Sequence, residues 1–175
     1  YGKYTVKLSS VSNRGCKDTL QKQVVVHPQS TPSFTLNADS QCLKGNKFQL
    51  TNTSTIPTGS ISKTNWDFGN STTSTAGSPS VTYGSKGTYK IQLITTSNYG
   101  CLDTVTKSVG VWPQAQIVYT ITSKDSQCLK GNSFVFNNTT SINPGSIASY
   151  KWEFGDATTA TTVQATKKYS TYGKY

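Results

Sequence analysis

The chain repeats itself, and the repeat limits what it can fold into more than any single residue does. "SQCLKGN" at Ser40–Asn46 recurs at Ser126–Asn132, eighty-six residues on. The same shift carries "GSI" from Gly59–Ile61 to Gly145–Ile147 and Trp66 of "WDFGN" onto Trp152 of "WEFGD". It also carries Phe68 onto Phe154, Tyr83 onto Tyr169 and Tyr89 onto Tyr175. A shift of eighty-five places "GKYTVKL" (Gly2–Leu8) on "GTYKIQL" (Gly87–Leu93), "NRGCKDT" (Asn13–Thr19) on "NYGCLDT" (Asn98–Thr104), and "VVVHP" (Val24–Pro28) on "VGVWP" (Val109–Pro113). The expected organisation is therefore residues 1–29 as the tail of one copy, 30–113 as a whole copy and 114–175 as the head of a third. Because "YGKY" stands at both 1–4 and 172–175, the ends are expected to be windows on a longer repeating chain.

Within the complete copy, apolar residues alternate with period two, the pattern of half-buried strands. Phe34 and Leu36 share a face, as do Phe48 and Leu50, Trp66 and Phe68, and Tyr89, Ile91 and Leu93; Val109 and Val111 close the series. Polar stretches such as "TNTSTIPTGS" and "GNSTTSTAGSPS" separate them as turns. Thr and Ser make up roughly 30% of the chain, whereas Glu occurs once (Glu153) and Met never, so strand formers outweigh helix formers. The expectation is an all-β chain of Greek-key sandwiches, each with one core Trp in a central strand. A copy of about 85 residues buries a modest core and is worth only a few kcal/mol.

The stretch "WDFGN…SPSVTYGSKGTYKIQLITTSNYG" resembles the PKD-type immunoglobulin-like domain. Its signature is Trp-Asp-Phe-Gly-Asp-Gly, then Pro-x-His-x-Tyr, then Gly-x-Tyr-x-Val. The chain departs from it at Asn70-Ser71 and Asp156-Ala157, where the family has Asp-Gly, and at Val81, where it has His. The resemblance implies a core signature of Trp66, Phe68, Tyr83 and Tyr89, repeated as Trp152, Phe154, Tyr169 and Tyr175, with Tyr89 bonding back across the corner between strands E and F. It also assigns strands F–G to 1–29 and strands A–E with the start of F to 114–175. The paired "C-x-x-G-x-x-F" and "N-x-G-C-x-D-T" elements are similar to tandem repeats of giant bacterial surface proteins, such as gliding-motility adhesins.

Several function classes lose their footing. The only His, His27, is replaced by Trp112 in the next copy, so neither a nucleophile–His–acid triad nor a His-rich metal site can be assembled. Asp67 and Glu153 fit the support of the turn after strand C better than a glycosidase pair. No catalytic residue, metal ligand or cofactor is expected. The net charge of +10 is spread thinly, with no run of three basic residues, which disfavours nucleic acid and leaves weak attraction to anionic polysaccharide or surfaces. No apolar run reaches the roughly 18 residues of a membrane span. Trp112 is expected as a junction contact or an exposed aromatic. Sequons at Asn52, Asn70, Asn137 and Asn138 are what a Thr/Ser-rich chain yields by chance. "DTL" at 18–20 and "DTV" at 103–105 resemble a bacterial O-glycosylation site, implying Thr19 and Thr104 as acceptors, against the plain alternative of a strand start.

Cys16, Cys42, Cys101 and Cys128 recur with the repeat, which points to disulfides in an oxidising compartment. In the sandwich implied by the resemblance, Cys42 and Cys128 lie in the A–B turn at one pole, and Cys16 and Cys101 in the F–G loop at the other. Six-residue strands separate the poles by about 20 Å or more, against the roughly 7 Å a disulfide spans between Cα atoms. A staple between neighbouring copies is favoured, with Cys42–Cys101 as the alternative. The function expected is a spacer or adhesin segment of a long extracellular surface fibre whose partners are neighbouring copies of the repeat. The alternatives are a carbohydrate-binding accessory module of a secreted polysaccharide-degrading enzyme, or a polymer of separate subunits.

Overall fold

The computed structural model describes all 175 residues. They form two compact units, Tyr1–Trp112 and Pro113–Tyr175, both built from strands and turns without a helix. The first unit opens with a hairpin of β1 (Gly2–Val11) and β2 (Lys17–Val26), paired from Gly2↔Val26 to Val11↔Lys17. Eight strands follow: β3 (Phe34–Leu36), β4 (Ser40–Cys42), β5 (Phe48–Asn52), β6 (Ile61–Asp67), β7 (Thr73–Ser74), β8 (Ser80–Val81), β9 (Gly87–Ser97) and β10 (Leu102–Trp112). They make two sheets, ordered β4-β10-β9-β6-β7 and β3-β5-β8.

Alternation puts one face of each sheet inward. Phe34, Phe48, Leu50 and Val81 come from one sheet, Trp66, Ile91, Leu93, Val109 and Val111 from the other, and all are buried together with Phe68 and Tyr83. The fold is an Ig-like β-sandwich. β9 and β10, eleven residues each, carry four of those core side chains and run one or two residues at each end past the expected strands at 89–95 and 104–111. A second difference lies at Cys42, expected in a turn. It ends β4, which pairs in parallel with the end of β10 (Trp112↔Cys42), and Leu43 N–H donates to the Trp112 carbonyl at 2.7 Å. The β10 edge would otherwise leave its last backbone groups unpaired, and a short strand satisfies them.

The second unit contains β11 (Tyr119–Ile121), β12 (Phe134–Asn138), β13 (Trp152–Glu153), β14 (Thr159–Ala160) and β15 (Ala165–Lys167). β11-β12-β15 form one sheet and β13-β14 the other. Within the 175 residues it has no strand pair corresponding to β9 and β10. Trp152 is accordingly only partly buried where Trp66 is 1% exposed.

The two units nonetheless share one set of bonds. Trp66 Nε1 donates to the Ala76 carbonyl and Trp152 Nε1 to that of Thr162, both at 2.9 Å. Tyr83 Oη donates to the Phe68 carbonyl and Tyr169 Oη to that of Phe154, both at 2.8 Å. Tyr89 Oη closes its corner on the Ser85 carbonyl (2.8 Å), and Tyr175 Oη on that of Thr171 (3.0 Å). Each corner ring stacks on the tyrosine before it, with centroids 3.7 Å apart for Tyr83–Tyr89 and 3.9 Å for Tyr169–Tyr175. Burial, then the neighbouring Tyr89 and Asp67, push the Tyr83 phenol up to about 12. Gly69 (φ 70°) allows this packing: a Cβ there would lie 2.6 Å from the Lys90 carbonyl oxygen in β9.

A buried asparagine holds each tyrosine strand. Asn46 Nδ2 donates to the Tyr83 carbonyl (2.8 Å) and its Oδ1 accepts from Tyr83 N–H (2.7 Å). Asn132 makes the same pair of bonds to Tyr169. This gives the "KGN" of the repeat its purpose. Asn46→Ala leaves two buried backbone groups without partners, and should lower stability by about 2–3 kcal/mol. Equilibrium urea unfolding followed by tryptophan fluorescence measures it; a loss below about 0.5 kcal/mol contradicts the assignment.

Candidate functional site

Chemistry is thin on this surface. No group of three or more His, Cys, Asp or Glu side chains comes together. Asp67 Oδ1 accepts from Gly69 N–H at 2.8 Å, a short Asx-type turn that stiffens the end of β6. Glu153, one methylene longer, departs from that role and instead pairs with Lys151 in the open. The turn that follows differs between the copies. Asp156 pairs with Lys167 at 2.6 Å and accepts from Thr158, and these bonds, Lys167 first, bring its carboxyl down to about 2. Lys167 also lies over the rings of Phe154 and Tyr169. The matching positions in the first unit are Asn70 and Val81, so the charged pair is present in one copy and absent as a pair from the other.

Exposed aromatics in the complete copy lie at its two ends. Trp112, 55% exposed, ends β10 beside Cys42. Tyr99, 41% exposed, sits in the β9–β10 turn, at the far end of the same hairpin. Against Tyr99 stacks His27, with ring centroids 4.1 Å apart and planes within 11°. Gln29 Nε2 adds a hydrogen bond to the Leu102 carbonyl (3.0 Å). His27 follows β2 as Trp112 ends β10, so the end of the β1–β2 hairpin seats on the β9–β10 turn. The loop before β6 braces that turn: Ser60 N–H donates to Asn98 Oδ1 (3.0 Å) and Asn98 N–H to the Ser60 carbonyl (2.9 Å).

All four cysteines are free thiols. Cys101 precedes β10 and Cys42 lies beside its last residue. Eleven residues at about 3.3 Å each separate them by roughly 36 Å, several times disulfide reach. In this fold Cys42 and Cys101 therefore stand at opposite ends of β10. Thr19 and Thr104 are exposed third residues of β2 and β10, and their N–H groups donate to Asp18 Oδ1 and Asp103 Oδ1 at 2.7 Å. The second unit carries an open groove of about 860 Å³ lined by Tyr119, Phe136, Trp152, Phe154 and Tyr169. In the first unit the matching core residues are buried together with Ile91, Leu93, Val109 and Val111 of β9 and β10.

The profile of the PKD domain matches residues 29–111 and again residues 117–175. The chain belongs to the PKD domain family. It carries PKD domains in tandem, and such domains are non-catalytic accessory modules. A microbial collagenase of Vibrio alginolyticus is 30% identical over 107 residues, 61% of this chain but 13% of that enzyme. The chain thus spans about an eighth of the curated relative it matches. The PKD1 domain of the Vibrio cholerae metalloprotease PrtV is 31% identical (TM-score 0.42), covering 49% of this chain and 98% of that one. The PKD1 domain of Vibrio anguillarum Epp is 28% identical (TM-score 0.44), covering 49% and 96%.

The sequence reading missed the Asn46 and Asn132 clamps and the His27–Tyr99 stack. The clamps had a signal, an asparagine kept at the same place in both copies of "SQCLKGN"; the stack had none, since His27 aligns with Trp112 and Tyr99 with Arg14.

Two outcomes follow for the PKD turn. Ser71 (φ 65°) and Ala157 (φ 63°) occupy left-handed backbone where the family signature has Gly. Ala157→Gly should raise the stability of the second domain by about 0.5–1 kcal/mol in urea unfolding; a loss contradicts the strain. The low Asp156 pKa means its contribution is complete above the ordinary aspartate value near pH 4 and is lost as pH falls towards about 2. Asp156→Asn should flatten the acid limb of that domain's unfolding curve across this window. An unchanged acid limb contradicts it.

Proposed function

We propose that these PKD domains are beads of a long repetitive extracellular surface fibre, similar to the giant adhesins, in which they act as spacers with no chemistry of their own. The chain then divides as residues 1–29 (the end of one bead), 30–113 (a whole bead) and 114–175 (the start of a third). The groove of the third bead is the seat of its own β9–β10 counterpart. The single observation carrying this reading is the His27–Tyr99 stack, in which the hairpin end of one repeat seats on the turn of the next. Pro28 and Pro113 follow His27 and Trp112, limiting the freedom of each junction. Adhesion, attachment to a cell surface and any glycan on Thr19 or Thr104 belong to the same proposal.

The second reading, a carbohydrate-binding accessory module of a secreted polysaccharide-degrading enzyme, draws on the similarity to part of a microbial collagenase only for the accessory role. A polysaccharide binder of that kind needs exposed aromatics grouped on one sheet face. In the complete bead Tyr99 and Trp112 stand at opposite ends instead, which favours the spacer.

Pulling single molecules of the full-length protein in reductant tests the reading. About 85 residues at ~3.6 Å, less a folded bead of about 36 Å, give force peaks spaced by roughly 270 Å. A regular train of such peaks is expected, together with no retention on cellulose, chitin or collagen. Absence of a periodic train, or micromolar retention abolished by Trp112→Ala, overturns it.

A further inference from the structure

We propose that successive beads are stapled covalently, by a disulfide between the cysteine ending β4 of one bead and the cysteine in the β9–β10 turn of the next. The inference rests on the tandem reading above and adds a modification to it.

The turn cysteine is held in a fixed backbone. Ser97 N–H donates to the Cys101 carbonyl (2.9 Å), while Ser97 Oγ accepts from the N–H groups of Cys101 (3.1 Å) and Tyr99 (3.2 Å). The first hairpin repeats the lock around Ser12 and Cys16, at 2.8 Å and 3.1 Å. Gly100 and Gly15 both take φ 82° to close these turns. Neither thiol is enclosed by the core: Cys16 is exposed and Cys101 half-buried.

The other cysteine is fixed at the opposite pole. Cys42 is exposed and is the parallel-strand partner of Trp112. Trp112 corresponds to His27 in the preceding repeat, and His27 stacks on Tyr99, two residues before Cys101. A β4 cysteine placed beside His27, as Cys42 is beside Trp112, therefore arrives at the junction where Cys101 waits. Each of the two thiols neighbours one ring of the same stacked pair. The 175 residues contain neither complete pair, consistent with four free thiols. Cys42 would bond the turn cysteine of the bead beginning at 114, which the repeat places about eighty-six residues beyond Cys101.

The bond forms when both thiols give up their protons and two electrons pass to the disulfide of a thiol–disulfide oxidoreductase. The S–S bond is made, and the oxidant leaves as a dithiol. The staple fixes the angle at the junction and lets tension cross it without unseating the stack.

Peptide mapping tests this on full-length protein released without reductant, its thiols blocked with iodoacetamide before tryptic digestion. Two cross-links are expected: the peptide 23–44, holding Cys42, joined to a turn-cysteine peptide, and the peptide 125–130, holding Cys128, joined to one. In the 175-residue chain exposed to oxidised glutathione, no Cys42–Cys101 cross-link should form. Complete alkylation of all four cysteines in the never-reduced protein overturns the staple, and so does a Cys42–Cys101 cross-link. Either result leaves the force peaks in reductant intact, so failure of the staple and failure of the fibre reading are told apart.

Discussion

Everything in this fold depends on covering a Trp–Phe core from both sides. In the first unit the long β9–β10 hairpin supplies Ile91, Leu93, Val109 and Val111; Phe34 and Phe48 of the facing sheet and Trp66 of the neighbouring strand become inaccessible. In the second unit the same aromatic register is present without that cover, and a groove lies open along Tyr119, Phe136 and Trp152. The isolated β1–β2 hairpin shows the converse: Val6, Leu8, Val24 and Val26 are exposed on a two-stranded ribbon. A two-stranded ribbon of this kind buries too little apolar surface to be more than marginal in water by itself.

What the core leaves free is variation at its edges. Asp156 and Asn70 occupy the same turn and Lys167 and Val81 the same strand position, and the Trp, Tyr and Asn hydrogen bonds around them are unchanged. Junction residues vary in the same way, with His27 in the place of Trp112. Val81 is buried in the core while Asn70 lies at the turn, so the charged pair of one copy is replaced by a buried apolar side chain and a polar turn residue in the other.

Much of this was legible in the letters. Alternation around Phe48, Trp66 and Ile91 located the inward faces, and the eighty-six-residue register placed Trp152, Tyr169 and Tyr175 in the same bonds as Trp66, Tyr83 and Tyr89. Less visible was whatever depends on a partner distant in sequence. β4 has no apolar signature because its role is to satisfy the backbone of β10. The Asn46 clamp joins residues thirty-seven apart, and a polar side chain gives no periodic signal of burial. The His27–Tyr99 stack joins two positions that change identity between copies, so the repeat itself hid it. The last step of β9 was less visible because Ser97 is a buried polar residue in a strand position that composition alone assigns to solvent.

Hydrogen exchange on the 175-residue chain, read by mass spectrometry, tests the dependence on the hairpin most directly. Amides of β5 and β6 should exchange with the slow kinetics of global unfolding, and those of β12 and β13 at least a hundredfold faster, about 2.7 kcal/mol in opening free energy. Equal protection of the two sets would contradict the account, because the second core would then be holding itself without its β9–β10 counterpart.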